Sequence, residues 1–156
     1  MLKIMFVCHG NICRSPMAEF IFKNMLKENR LESKYYVCSS ATSSEEIWNG
    51  IGNPVYPPAR SELLLHGIKC EGKRAVQLQK SDYGSYDLFI GMDSANIRNM
   101  HRIFGGDPDN KIRKMMDYTT RGGDVADPWY SDRFDIAYRD IFDGCKGLLK
   151  DLEGIE

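Results

Sequence analysis

The sequence lacks a hydrophobic run of membrane-spanning length, and it has no secretory signal before its first apolar segment. It also lacks an excess of charge of either sign. The formal net charge is −1, so we expect no nucleic-acid partner and no membrane partner. The five cysteines are odd in number, and none has the Cys-x-x-Cys spacing of zinc sites. We therefore expect a cytoplasmic protein with reduced thiols and no metal site.

The sequence has enough apolar residues to build a hydrophobic core. Hydrophobic residues make up 42% of the 156 positions and charged residues 28%, which is typical of globular proteins. A chain of this length is usually one domain. Because no internal repeat, linker or low-complexity tract interrupts it, we expect a single domain over residues 1–156.

Four short apolar segments alternate with stretches of helical periodicity. The predicted strands are 2–7, 35–40, 87–92 and 111–116. The predicted helices are 17–29, 59–66, 93–104 and 131–152, with a helical turn over 81–85 and loops over 41–58 and 119–130. This alternation predicts an α/β fold, a doubly wound parallel sheet of four strands with helices on both faces. A ligand site is expected beyond the carboxyl ends of the strands.

The loop after the first strand has the composition of an anion site. It runs Cys8-His9-Gly10-Asn11-Ile12-Cys13-Arg14-Ser15-Pro16 and leads into the first predicted helix. Ser15 is expected to be the N-cap and Pro16 the first helical residue. At that point several backbone N–H groups have no partner within the helix, and the helix dipole is positive, so phosphate is a suitable ligand.

The same loop contains a nucleophile and a clamp for phosphate. Backbone amides, the helix terminus and Arg14 favour the thiolate form of Cys8, and Ser15 can donate its hydroxyl to the sulfur. The planar guanidinium of Arg14 can hold two phosphate oxygens. Gly10 permits close backbone approach or positive φ, and Asn11 tolerates the left-handed region.

A second motif far downstream can supply a proton. Transfer of phosphate to a thiolate requires a proton for the departing oxygen, and Asp127 is the candidate. Pro128 follows it and favours an extended backbone at Asp127. Asp-Pro by itself is only a turn signal, so this assignment depends on its combination with the cysteine loop.

These two motifs resemble those of the low-molecular-weight protein tyrosine phosphatases. The Cys8 loop is similar to the family signature, Cys and Arg-Ser separated by five residues with Gly-Asn-Ile-Cys among them, and the resemblance extends over nearly the whole chain. The run Asp127-Pro128-Trp129-Tyr130 is similar to the family's general-acid loop. The resemblance implies strand order 2-1-3-4 and metal-independent hydrolysis of phosphotyrosine and aryl phosphates without a cofactor. Phosphotyrosine-containing proteins or peptides would be the substrates and inorganic phosphate the product.

The resemblance also assigns roles to residues. Cys8 would form a cysteinyl phosphate, Asp127 would act as general acid and then base, and Arg14 would stabilise the transferred group. Asn11 would be braced by Ser15 and Ser39, although Lys73 stands where the family often has a histidine. The phosphate-binding loop would consist of His9, Gly10, Asn11, Ile12, Cys13, Arg14 and Ser15.

The resemblance places aromatic side chains around the substrate ring. Ile12, Trp129 and Tyr130 would line the slot, together with an aromatic wall from the 41–58 loop, where Trp48 stands. A hydrophobic plug holding that loop is an equal alternative for Trp48. Cys13 would be redox-sensitive and form a reversible disulfide with Cys8; a buried packing thiol is the alternative.

Three other functions fit part of the pattern. Phosphoarginine phosphatases resemble this chain but carry Thr where Ile12 stands, and an apolar residue suits an aryl phosphate better. Arsenate reductases of this fold need further cysteines near the third strand. Residues 81–93 contain none, and Cys70 is the nearest. A phosphate-binding adaptor would need neither Cys8 nor Asp127. Asp93 and Asn96 are expected near the site, with helix capping as the equally plausible role.

Overall fold

The computed structural model describes residues 1–154. The predicted domain runs to residue 156, so its last two residues lie outside the described part. The strands are β1 Leu2–Cys8, β2 Tyr35–Ala41, β3 Ile47–Trp48, β4 Ile51–Gly52, β5 Leu88–Gly91 and β6 Ile112–Lys114. The α-helices are α1 Arg14–Glu28, α2 Pro57–Leu65, α3 Ser94–Phe104, α4 Pro128–Ser131 and α5 Phe134–Glu153. Three 3₁₀-helices cover Glu32–Lys34, Lys80–Gly84 and Met115–Tyr118.

The main sheet has four parallel strands in the order β2-β1-β5-β6. This confirms the predicted order 2-1-3-4 of the four principal strands. In the middle of the sheet Phe6 pairs with Ser39 on one side and with Ile90 on the other. The strand order reverses at β1, so the loop that follows β1 lies at the switch point where ligands bind in such sheets.

Helices cover both faces of the sheet because β1 is apolar on both sides. Ile4 and Phe6 pack into the larger core with residues of α1, α2 and α5. Met5 and Val7 point to the other face and pack into a smaller core with residues of α3. None of the helices within residues 1–154 combines the length and the apolar character needed to cross a membrane.

Three predicted helix starts are wrong for local reasons, those of α1, α2 and α5. Helix α1 begins at Arg14 with Cys13 as its N-cap, so Ser15 is inside the helix and does not cap it. Its hydroxyl is engaged with Asn11 instead. Helix α2 begins at Pro57, because a proline fits the first turn, where its missing N–H is not needed.

Both predicted loops contain short regular elements. Residues 41–58 include the β3–β4 hairpin, whose turn residues Asn49 and Gly50 have φ of +50° and +76°. Asn-Gly is the sequence that favours such a turn. Residues 119–130 run into α4, which begins at Pro128 with Asp127 as its N-cap. Asp132 at φ +60° ends α4, so the final helix begins at Phe134 and not at 131.

Candidate active site

Cys8 is the last residue of β1, and its sulfur lies among hydrogen-bond donors. Its Sγ atom is 3.0 Å from Oγ of Ser15 and accepts a hydrogen bond of 3.3 Å from the backbone N–H of Asn11. Cys8 is almost fully buried, so these donors face a sulfur largely removed from bulk water.

Asn11 holds the loop after β1 in shape. It has φ of +59°, the left-handed conformation that asparagine tolerates. Its Nδ2 donates to Oγ of Ser15 at 2.8 Å and to Oγ of Ser39 at 2.9 Å. Its Oδ1 accepts from the backbone N–H of Val76 at 3.0 Å. The structure thus brings together Asn11, Ser15 and Ser39, as the sequence analysis expected.

Ser39 is held in turn by the ion pair between Glu19 and Lys73. The hydroxyl of Ser39 donates to Oε1 of Glu19 at 2.6 Å, and Lys73 Nζ donates to the Ser39 carbonyl at 3.0 Å. Lys73 Nζ is also 3.7 Å from Glu19 Oε1. Burial lowers the pKa of Lys73, an effect that the charge of Glu19 opposes. Lys73 therefore acts on the loop through Ser39 and Glu19.

Gly10 lies against a neighbouring side chain and does not adopt a special backbone conformation. It has no positive φ, whereas its neighbour Asn11 does. A Cβ atom at Gly10 would lie 3.3 Å from Cγ of Glu46, which is tighter than most such contacts. Positive φ, one of the two roles that the sequence allowed for Gly10, is therefore not used, and the side chain of Glu46 packs close to its backbone.

Arg14 is anchored by groups from two distant segments. Its NH1 donates to Oδ2 of Asp93 at 2.7 Å and to the carbonyl of Val125 at 2.9 Å. Burial alone would lower the pKa of Arg14, but the charges of Cys8 and Asp93 outweigh it, and the net shift is upward. Asp93 also caps α3 by accepting from the Asn96 N–H at 2.8 Å. It is therefore both a capping and a site residue.

Asp127 is brought to the site by the segment that precedes it. The backbone N–H of Val125 donates to the Met92 carbonyl at 2.9 Å, which ties this segment to the end of β5. Oδ1 of Asp127 accepts from the Trp129 N–H at 3.0 Å. Its Oδ2 lies 3.6 Å from NH2 of Arg14. The carboxyl group predicted as the acid is thus beside the guanidinium predicted as the clamp.

A cavity of about 210 Å³ joins these groups. Trp129 forms one wall of the cavity and is 57% exposed. Its ring is tilted against that of Tyr56, with 4.9 Å between the ring centroids. Tyr130 stands at the rim and is 87% exposed. The cavity is lined by Cys8, His9, Gly10, Asn11, Ile12, Cys13, Arg14, Glu45, Glu46, Asp127, Trp129 and Tyr130.

Trp48 is neither a wall of the substrate pocket nor a hydrophobic plug, the two roles that the sequence suggested. It is not among the residues that line the cavity, and at 72% exposed it is not a buried plug either. It lies on the β3–β4 hairpin, where Glu45 and Glu46 just before it reach the cavity instead. Sequence reasoning missed both glutamates. The available signal was their position after the second strand, whose carboxyl end lies beside that of the first.

The remaining predicted residues take peripheral positions. His9 Nε2 is 3.0 Å from Oε2 of Glu45 at the half-exposed rim. Cys13 is buried with a free thiol, and burial together with the charge of Cys8 raises its pKa to about 12. Cys70 lines an adjacent groove and not this cavity. Asn96 is buried in α3 and accepts from the Met92 and Asp93 N–H groups.

Comparisons with known proteins place the chain among phosphatases. A family model described as low molecular weight phosphotyrosine protein phosphatase matches residues 3–154. The low molecular weight protein-tyrosine-phosphatase YfkJ of Bacillus subtilis is 34% identical over 98% of this chain and 97% of its own. The crystal structure of YfkJ superposes with a TM-score of 0.93, covering 99% of this chain and 96% of that chain at 33% identity.

Two further relatives mark the breadth of the similarity. The low molecular weight phosphotyrosine protein phosphatase of Schizosaccharomyces pombe is 33% identical over 97% of each chain. The crystal structure of a Drosophila arginine phosphatase is 26% identical with a TM-score of 0.84 and covers 97% of this chain and 98% of that chain. The fold is therefore shared by proteins whose names give different phosphorylated substrates.

Proposed function

The chain belongs to the low molecular weight phosphotyrosine protein phosphatase family, and from this we propose that Cys8, Arg14 and Asp127 are the residues with which it hydrolyses phosphotyrosine. It is a protein-tyrosine phosphatase. The proposed route is nucleophilic catalysis through a cysteinyl phosphate on Cys8. One observation carries the assignment to these three residues. Cys8, the anchored guanidinium of Arg14 and the Asp127 carboxyl all border one cavity, with Asp127 Oδ2 3.6 Å from Arg14 NH2.

In the first step the Cys8 thiolate attacks phosphorus and displaces the tyrosine oxygen. Asp127 gives that oxygen a proton, so that a phenol leaves and not a phenolate. Arg14 and the backbone amides of residues 9–15 hold the three remaining phosphate oxygens, where charge accumulates in the transition state. The Asp93 and Val125 contacts keep NH1 fixed, so Arg14 needs little reorganisation.

In the second step water attacks the phosphorus of the cysteinyl phosphate. Asp127, deprotonated by the first step, takes a proton from that water, and the bond between sulfur and phosphorus breaks. Inorganic phosphate leaves and the Cys8 thiolate is regenerated, with Ser15 Oγ at hydrogen-bonding distance to stabilise it. Because the mechanism requires Cys8 to be ionised while Asp127 is protonated, the rate should rise and then fall with pH.

The pocket supports an aryl substrate. Ile12 and Trp129 both line the cavity, so a flat phenyl ring can pack on apolar surface while its phosphate is held by Arg14. A guanidinium substrate would instead be favoured by a polar group at the position of Ile12.

We infer phosphotyrosine-containing proteins or peptides as substrates, a cytoplasmic location, a single phosphatase domain, and neither nucleic-acid nor membrane partners.

The test is hydrolysis of phosphotyrosine, phosphoserine and phosphoarginine peptides by the purified protein and by Cys8→Ser. We expect turnover of phosphotyrosine by the native protein and none by the variant, because a serine hydroxyl at this position is a far weaker nucleophile than a thiolate. Cys38→Ser is the matched control, since Cys38 is a half-buried free thiol on β2 that does not line the cavity. Normal turnover by Cys8→Ser, or a preference for phosphoarginine, contradicts the proposal.

A further inference from the structure

The rim of the active-site cavity is acidic where the β3–β4 hairpin meets it. Glu45 and Glu46 line the cavity immediately before β3, and Asp127 lines it from another side. Among the described residues lining the cavity, Arg14 and His9 are the only groups that can be cationic. Arg14 is buried at the base and engaged with Asp93, so its charge serves the phosphate and not the rim.

The two glutamates differ in how far their charge is compensated. Oε2 of Glu45 is 3.0 Å from Nε2 of His9. Glu46 accepts only a long 3.5 Å hydrogen bond from Nδ2 of Asn53, and within residues 1–154 no cation lies at salt-bridge distance from it. Its Cγ would be 3.3 Å from a Cβ at Gly10, so the carboxylate stem lies against the phosphate-binding loop. Glu46 thus presents an unneutralised negative charge beside the substrate pocket.

An exposed aromatic surface continues from these carboxylates. Trp48 is 72% exposed, and its cross-strand partner Ile51 is 63% exposed. Among aromatic side chains, tryptophan makes the best cation–π contact with a guanidinium or ammonium group, and its indole face is accessible here. Two carboxylates and an indole within residues 45–48 are therefore three features that attract the same kind of group.

We propose that residues 45–48, which we call the acidic hairpin, select phosphotyrosine sites flanked by arginine or lysine. The inference rests on the proposed function, because the phosphate must sit at Arg14 for the flanking residues to cross the rim. A basic flanking side chain then pairs with Glu46 and stacks on Trp48, and it can compete with His9 for Glu45. An acidic flank meets like charges at the same place and is disfavoured.

Cationic side chains near the hairpin do not neutralise the negative charge at the rim. Arg74 donates to the Gly52 carbonyl at the base of the hairpin, and it does not line the cavity. Arg60 and Lys73 line an adjacent groove together with Glu46, but within residues 1–154 neither is at salt-bridge distance from it, and Lys73 pairs with Glu19 instead. The negative charge at the rim thus faces solvent and the approaching peptide.

The experiment compares three phosphotyrosine peptides that differ only in having arginine, alanine or glutamate on both sides. For the native protein we expect kcat/KM to fall in the order arginine, alanine, glutamate, with a span of about tenfold at low salt. The span should shrink as salt is raised, because the interacting groups are exposed. Equal kcat/KM for the three peptides, or a span insensitive to salt, overturns the proposal.

Variants assign the preference to the acidic hairpin. In Glu45→Gln/Glu46→Gln the ratio of arginine-flanked to glutamate-flanked kcat/KM should fall to about twofold or less, and Trp48→Leu should lower the arginine-flanked value selectively. Glu32→Gln removes an exposed charge just before the amino end of β2, at the end of that strand opposite to the hairpin, and should keep the native ratio. A native ratio in the double variant overturns the assignment. Free phosphotyrosine, which has no flanking residues, reports failure of the proposed function separately.

Discussion

The NH1 nitrogen of Arg14 lies 2.7 Å from Oδ2 of Asp93, although 79 positions separate the two residues. Arg14 begins the helix after β1, and Asp93 follows β5, the strand that pairs with β1. The parallel pairing places both residues at the carboxyl edge of the sheet. One carboxylate therefore orients the phosphate clamp with Oδ2 and caps α3 with Oδ1.

Asp93→Asn separates these two roles, because asparagine also caps helices but has no charge. We expect kcat/KM for phosphotyrosine to fall about tenfold or more, since Arg14 is less firmly oriented. Stability should change little. Asp124→Asn is the control, because Asp124 also bonds the first turn of α3, through Ser94, but does not contact Arg14. Equal kcat/KM in the two variants contradicts a positioning role for Asp93.

Asp127→Asn removes the proton donor and leaves an oxygen that can still accept from the Trp129 N–H. We expect the rate for poor leaving groups to fall by about 10²-fold or more. Aryl phosphates whose phenols are strongly acidic should lose much less, because those leaving groups need no proton. Measuring kcat over a series of phenols gives the dependence. A uniform loss across the series is inconsistent with general-acid catalysis by Asp127.

Ser39→Ala should weaken both stability and activity. The hydroxyl accepts from Asn11 and donates to Glu19, so its removal leaves two buried polar groups short of a partner at a cost of about 1–3 kcal/mol. Because Asn11 shapes the phosphate-binding loop, KM should rise as well. Thermal unfolding and steady-state kinetics test this. Ser40→Ala is the matched control, since that hydroxyl bonds only the sulfur of Met5. Similar losses in both variants count against the brace.

Mild peroxide should produce a Cys8–Cys13 disulfide, detectable by mass analysis of tryptic peptides. Burial, and then the negative charge of Cys8, raise the pKa of Cys13 to about 12. Oxidation of Cys8 to sulfenic acid removes that charge, after which Cys13 can attack and release water. Because the attacking form is the thiolate, closure should become faster as pH rises from 7 to 9. Sulfonic acid at Cys8 without a bridge excludes this protective reaction.

Asp107 should make the free energy of unfolding depend on pH in the acidic range. Burial alone would raise its pKa, but hydrogen bonds from the Tyr83 hydroxyl and from the Lys111 and Ile112 N–H groups lower it overall. The ionised form is thus favoured by folding, so its contribution is present at neutral pH and lost as pH falls through the folded-state pKa. Asp107→Asn should destabilise by about 1–2 kcal/mol at pH 7 and by less at pH 3. Equal effects in urea unfolding at both pH values contradict this.

Elements with strong local signals were predicted well. The four strands of the main sheet, α3 with its Asp93 cap and the long α5 follow from periodicity and capping residues within short stretches. The starts of α1, α2 and α5 were wrong by two or three residues, and α4 was not predicted. Helix α1 starts at Arg14 because the hydroxyl of Ser15 bonds within the site. Helix α4 arises because Asp127 and Pro128 begin a turn of helix where the sequence indicated only a loop.

The sequence by itself determined the chemistry of the loop after β1. Strand, cysteine, arginine and helix start lie within a few residues, so backbone geometry alone brings the thiol, the amides and the guanidinium together. Only the tertiary structure decided the rest. The Asp93 anchor, the approach of Asp127 to Arg14 and the acidic hairpin at the rim involve residues far apart in the chain. Their proximity depends on which strands pair and on how each connecting segment returns to the sheet edge, and no local pattern encodes that.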